Sequence, residues 1–585
     1  MPTKFKKNFS VVLITLIVAL LARVILFIFW LDNPLRYYDK VNGLDMQTLV
    51  GLGERLYNGS TIFTLHKFAL AVFMWLNHGV PLPDGVIVLQ LIMGIVTAGL
   101  TSWCVLRLKG DRTWAVMSGI LAALYAPAMM YQVVVLKETF MTFFAFLAFA
   151  AILWSHRKHF SGISLYTVGI LLALPCLCRV TALPFVGLGG VWLLAVIFKK
   201  FYSGKNISKI AIKTLIIALG VVSIFIPASV LNYRLTGGQQ ILPFNFNIRY
   251  AFNLGCNENV KTLSVKAAPS APDKSSNFLA KVTGFGSNFV KKVPLAFQAR
   301  EIPNNLNYYF IKPLLPPLNY MIGPLLLLPL SVAGLFMVLF SRKCIRKEGI
   351  LLVFIFAYLL PICFFYPLGR YRLVFYPVFC ILAPYPLLYA IDKWRSKNSR
   401  DRIFISVPVL LYLIIFILSY PRGVFIRTSD YVSHGKAALA GSKKPVKGLP
   451  YFLTAYKMSP NNQSAVVNLV ETLLRIDKPK EALAVAYKAH MNNPENNAFK
   501  YYSARLLLIN KQYSQSEAVL NKLDPNSMGP LKIQYFYMLG QSLRQQGKYS
   551  KALKNYKKAL AANPTTAQRE LIERLISSLT IKADN

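Results

Sequence analysis

FSVVLITLIVALLARVILFIFWL, residues 9–31, decides the fold. A helix needs about 20 predominantly apolar residues to cross a hydrocarbon core roughly 30 Å thick, and this run is long enough. Lys4, Lys6 and Lys7 precede it. The run exceeds the roughly 7–15 residues of a signal-peptide core and carries no clear small-x-small cleavage site, so the reading is an uncleaved first span with the N-terminus in the cytoplasm.

Working outward, comparable apolar runs lie near 86–107, 113–133, 138–155, 161–178, 181–199, 208–230, 314–340, 349–367, 372–391 and 402–420. With the first run these predict an all-α polytopic bundle of about eleven spans. Alternation places the short segments Arg107 to Arg112, His156 to His159, Lys199 to Lys209, Arg342 to Lys347 and Lys393 to Arg402 inside, and each carries several basic residues. That distribution is what the positive-inside rule requires. Segments 32–85, 134–137, 179–180, 231–313 and 368–371 then lie outside, and an odd number of spans puts everything after Arg422 outside as well. The expected location is the inner membrane of a cell envelope.

Composition agrees with a chain that uses lipid as solvent. Of the 585 residues, 55% are hydrophobic, and the mean hydropathy is +0.45. A formal net charge of +43 would ordinarily suggest nucleic acid. Here most basic residues outside the C-terminal region sit in short tracts between apolar runs, which topology explains, so no nucleic-acid partner is expected. The seven cysteines form no CxxC pairs at zinc spacing, and Cys176 and Cys178 read as small buried hydrophobes within an apolar run.

Beyond the last run the chain turns polar and a period of about 34 residues emerges, the spacing of tetratricopeptide repeats. The best copy is FYMLGQSLRQQGKYSKALKNYKKALAANP, residues 536–564. An earlier copy ends EALAVAYKAHMNNP at Pro494, and a degenerate one covers Tyr501 to Pro525. Small Ala and Gly residues let paired helices approach, and Pro ends the second helix of each pair. An ordinary amphipathic bundle is the plain alternative; three phased copies favour repeats. The predicted division is a membrane domain over 1–422, a linker over 423–450 and an α-solenoid of repeats over 451–580.

Charge at the outer ends of spans is informative, because a charged side chain at the bilayer centre costs about 2.5–3.5 kcal/mol or more. Asp39 and Asp45 lie in the first outer segment, and Asp45 opens an amphipathic stretch running to Tyr57. Simple capping of a helix start would explain Asp45 equally well. Lys137 and Glu138 interrupt two apolar runs in YAPAMMYQVVVLKETFMTFFAFL, where a solvated hairpin tip is the plain reading. Arg179 stands alone in LPCLCRVTALPF, and Arg370 and Arg372 flank Tyr371 in FFYPLGRYRLVFYP, against the positive-inside bias. Guanidinium groups suit phosphate oxygens in a bidentate fork, and contact with lipid headgroups is the competing explanation.

In this order the features resemble the GT-C superfamily of membrane glycosyltransferases, which includes protein O-mannosyltransferases and lipid A aminoarabinose transferases, some with trailing tetratricopeptide repeats. The resemblance covers roughly residues 10 to 390. It is carried by the D-x(13)-G phrase from Asp45 to Gly59, by LYAPAMMYQVVVLKETFMTF, by CRVTALPFVGL, by IPASVLNYRLTGGQQILPFNFNIRYAFNLGCNEN and most closely by RYRLVFYPVF at 370–379. It departs where Asp39 and Asp45 stand for the usual Asp-Glu pair, and where His66 and Lys67 replace a proline-containing segment.

The resemblance implies inverting transfer of a sugar from a polyprenyl-phosphate donor to a lipid, glycan or protein acceptor. Asp45 would be the base, with Asp39 as its rival. Arg370 and Arg372 with Tyr371 would bind the donor phosphate, assisted by Arg179 and Lys137. Glu138 would support the acceptor site or a divalent metal, since some relatives bind one between the first two outer loops. The competing class is a non-enzymatic membrane scaffold whose repeats recruit a protein partner for envelope assembly. A transporter is weaker, because the charges cluster at the ends of spans rather than at the midplane.

Overall fold

A computed structural model describes residues 2–57, 82–201, 207–238, 241–242, 278–340, 342–364, 367–395, 410, 412–414, 416–417, 426–442 and 444–583. Gly59, the His66–Lys67 segment, residues 243–277 and most of the apolar run 402–420 lie outside them. Two compact units are resolved, Met1–Phe425 and Ile426–Asn585. Among the described residues both are helical, and the only strand-like pairing is an isolated bridge between Tyr125 and Ile322.

Six helices in the first unit are long and apolar enough to cross a membrane: Asn8–Leu31, Asp84–Leu108, Lys137–Arg157, Val180–Lys200, Ile207–Arg234 and Gly369–Asp392. Arg112–Leu124, Gly162–Cys178, Pro324–Phe340 and Glu348–Phe364 are apolar but shorter. Two expected spans change form. The run 314–340 becomes helical for spanning purposes only from Pro324, because Pro316–Tyr320 is a short 3-10 turn. The run 113–133 breaks at Tyr125, whose extended backbone separates Arg112–Leu124 from Ala126–Gln132.

Pro127 causes the second break, since its ring would clash with the preceding turn of a continuous helix. The freed backbone groups, buried away from water, must find partners. Ile322 supplies both, its N–H donating to Leu124 O at 2.9 Å and its carbonyl accepting from Ala126 N at 2.9 Å. Arg23, almost wholly buried in the first helix, donates from Nη1 to Ala123 O at 2.8 Å and so caps the interrupted helix. A buried cation at a helix C-terminus is also favoured by the helix dipole.

The helices meet through small residues. The Thr15 and Ser102 hydroxyls lie 2.7 Å apart, and Gly119 packs directly against both. Gly169 and Gly220 face each other across helices Gly162–Cys178 and Ile207–Leu235, where a Cβ on either would strike the opposing backbone. Close backbone approach of this kind holds helices together in lipid, where apolar burial between them gains little. Outward faces remain apolar, with Leu20, Leu21, Val24, Ile25 and Ile28 all exposed on the first helix.

The second unit stacks antiparallel helix pairs: Gln463–Arg475 with Pro479–Asn492, Asn497–Ile509 with Tyr513–Leu520, and Lys532–Gln545 with Tyr549–Ala561. The stretch read as a linker is partly helical, over Thr428–Ser442, with Asp430 and His434 buried in it. Equivalent positions repeat their chemistry. Asn462 and Asn496 cap successive first helices through their side chains, and Asp477, Lys511 and Gly547 all take positive φ in the turn between paired helices. Glu471 and Arg505, 34 residues apart, form an ion pair at 2.5 Å between neighbouring first helices. Gly540 gives way to the Tyr556 ring, so the last pair is closely packed.

Gly169→Leu is expected to destabilise the membrane unit by about 2 kcal/mol, the usual scale of overpacking. Gly187→Leu, at a position with open space around it, should leave stability unchanged; thermal unfolding of the two variants in detergent checks the difference.

Candidate functional site

Four segments distant in sequence bring their charged residues together. Lys137 and Glu138 begin helix Lys137–Arg157, Arg179 follows helix Gly162–Cys178 in extended backbone, and Asp45 opens helix Asp45–Tyr57. Arg370 and Tyr371 sit on the short turn Gly369–Arg372. Each is at an element terminus, where a polar side chain escapes the apolar bulk of its helix.

Arg370 is the hub. Its Nη1 donates to Asp45 Oδ2 at 2.5 Å, its Nη2 donates to Tyr371 Oη at 2.9 Å, and its Nε lies 3.8 Å from Glu138 Oε1. The last is an ion-pair contact, too long for a hydrogen bond. The same Glu138 oxygen accepts from Arg179 Nη1 at 2.9 Å. The Tyr371 ring carries the Arg179 guanidinium 3.8 Å from its centroid and that of Arg370 at 4.8 Å. Such contacts offset the cost of holding two cations side by side.

Burial grades across the cluster. The Asp45 side chain is 53% exposed, Arg370 11% and Glu138 2%. Asp45 is therefore the rim and Glu138 the floor. Partial burial pushes the Asp45 carboxyl up, but the Arg370 guanidinium, with help from Asn305 and Lys137, outweighs this and holds it below the usual carboxylate value. Lys137, Arg179 and Arg370 set against Asp45 and Glu138 give three cations to two carboxylates, a surplus of one positive charge.

Two expected residues lie elsewhere. Arg372 does not reach this cluster. Its Nη1 donates to Gln298 O at 2.6 Å and Leu295 O at 3.3 Å, its Nη2 donates to Arg300 O at 2.7 Å, and Glu301 Oε2 is 3.2 Å from Nη2. With its fork directed to carbonyls, Arg372 ties the Arg370 turn to the 295–301 segment. Asp39 is also absent from the cluster. It is buried in the 3-10 segment Pro34–Lys40, where desolvation pushes its carboxyl up.

Sequence reasoning passed over Glu301 and Asn305. Glu301 pairs with Arg372, contacts Tyr125 Oη at 3.5 Å and abuts Gly369 so closely that a Cβ there would clash. Tyr125, Glu301, Gly369, Arg372 and Tyr376 line one small cavity below the turn. The available signal was scarcity: with 23 acidic residues against 66 basic ones, an acid outside the basic loops merits notice.

The donor set does not fit a divalent cation. Asp45 and Glu138 each face guanidinium groups, and among the described residues no three His, Cys, Asp or Glu side chains gather.

The tetratricopeptide repeat family matches residues 533–566. This segment is a tetratricopeptide repeat. Among solved structures, "MamA 41-end from Desulfovibrio magneticus RS-1" shares 17% identity over 28% of this chain and 88% of its own, with a TM-score of 0.25. "MamA RS-1 ArsTM double mutant" shares 16% over 28% and 88%, also at 0.25. "MamA MSR-1 C2" shares 18% over 30% and 94%, at 0.20. No curated protein matches the chain.

Glu138→Ala should destabilise the membrane unit by about 3 kcal/mol or more, because it leaves two largely buried guanidinium groups without their shared carboxylate. Thermal unfolding checks this, and Asp39→Asn, outside the cluster, is expected to cost far less.

Proposed function

We propose that the membrane unit is an inverting glycosyltransferase that moves a sugar from a polyprenyl-phosphate donor to an envelope acceptor on the outer face of the membrane. One observation carries the reading: Asp45, Glu138, Arg179, Arg370 and Tyr371 converge at the ends of separate helices with a carboxylate at the rim. A surplus of one positive charge matches a phosphodiester, which carries one negative charge.

In this scheme Arg370 and Arg179 hold the donor phosphate, with Lys137 alongside. Asp45 takes the proton of the acceptor hydroxyl as its oxygen bonds to the anomeric carbon. The bond from that carbon to the phosphate oxygen breaks on the opposite side, and polyprenyl phosphate leaves with the electron pair. Donors already aimed at the leaving phosphate stabilise its growing charge without reorganisation. Removing the proton contributes typically 10²–10⁴-fold. Glu138 fixes the two arginines, and Arg372 with Glu301 fixes the turn that presents Arg370.

The same reading takes the chain as about eleven spans with a cytoplasmic N-terminus and extracytoplasmic repeats. Stacked repeats present a concave surface that suits a protein partner or acceptor. A scaffold without catalysis is the second reading, favoured by the repeat at residues 533–566; it has no use for a carboxylate at the rim of an arginine cluster.

Asp45→Asn separates them. Transfer from a labelled polyprenyl-phosphate sugar in membranes should fall about 10²–10⁴-fold, with insertion and thermal stability retained. Full activity in that variant would remove Asp45 as base.

A further inference from the structure

The hydrogen bond between Arg370 and Asp45 occupies both groups that the proposed transfer needs. A carboxylate committed to a guanidinium accepts a proton poorly, and a guanidinium fork committed to a carboxylate has less to offer a phosphate. Arg370 also has an alternative: its Nε is buried, makes no hydrogen bond, and is held beside Glu138 at 3.8 Å. The head of the side chain is thus tethered from the floor while Nη1 reaches the rim.

We propose that Arg370 is a latch shared between Asp45 and the donor phosphate, so that Asp45 is released to act as base only when the lipid phosphate is already bound. The inference rests on the glycosyltransferase reading. It requires the phosphate to take over the Nη1 position that Asp45 Oδ2 now fills. Asp45 is able to leave, because its side chain is half exposed and belongs to a different element from the other four residues. The groups facing Arg370 are Asp45, Glu138 and Tyr371, with Arg179 across the Tyr371 ring and Lys137 and Asn305 beside Asp45. Of these, only Asp45 combines a negative charge with exposure to solvent.

The consequence is an order of events. Acceptor hydroxyls, water included, meet an inactive carboxylate until donor binds. Releasing Asp45 from Arg370 also raises its proton affinity, so the base strengthens at the moment it is needed.

The test measures binding, not transfer. The probe is farnesyl methyl phosphate, a short polyprenyl phosphodiester carrying a single negative charge, titrated into the full chain in nanodiscs. Asp45→Asn removes the competitor for Arg370 and should bind about two- to fivefold more tightly, the worth of a part-exposed ion pair. Arg370→Ala should lose binding in both backgrounds. Equal or weaker binding by Asp45→Asn, with wild type binding normally, would overturn the latch and leave the transferase reading standing. Failure of wild type and Asp45→Asn alike to bind would overturn both.

Discussion

The Arg370 guanidinium, tied to a rim carboxylate and a floor carboxylate at once, is the interaction on which the charged cluster of the first unit depends. Without it Asp45 would be an ordinary exposed acid at a helix start, and Glu138 a buried charge with one partner. Its placement is fixed twice over. Glu138 and Tyr371 hold the side chain, while Arg372, Gly369 and Glu301 hold the backbone turn beneath it. Buried charge is tolerable only when paired and hydrogen-bonded, so a network of this size constrains several helices together.

The broken helix at Tyr125 serves the same site from below. Pro127 interrupts the span, Ile322 and Arg23 satisfy the exposed backbone, and Tyr125 thereby reaches Glu301 under the Arg370 turn. Irregular backbone buried in protein is tolerated when its polar groups are paired, and here the irregularity places Tyr125 in the lining of a small cavity.

Much of this was legible in sequence, and for identifiable reasons. Apolar runs give helices directly, but of the eleven expected spans six helices among the described residues are long and apolar enough to cross a membrane. The 34-residue period marks the tetratricopeptide repeat at residues 533–566, since Ala, Gly and Pro recur at positions set by helix packing. Asp45, Glu138, Arg179 and Arg370 were conspicuous as charges at the ends of apolar runs. Arg372 looked equivalent to Arg370 on that criterion, and only tertiary contact separates them: one fork meets carboxylates and the other meets carbonyls. Asp39 drew attention as an acid in the first outer segment, but nothing local says that it is buried away from the arginines. Glu301 and Asn305 sit in an irregular stretch with no periodicity to mark them. The break at Tyr125 was readable from Ala126–Pro127, a dipeptide outweighed by the apolar character around it.

A density map of the full chain bound to a polyprenyl phosphodiester analogue tests the central claim most directly. The account predicts the phosphate within hydrogen-bonding distance of Arg370 and Arg179, with Asp45 turned away from Arg370 and open to the outer surface. Phosphate density remote from both arginines, with the Asp45–Arg370 pair intact, would contradict it.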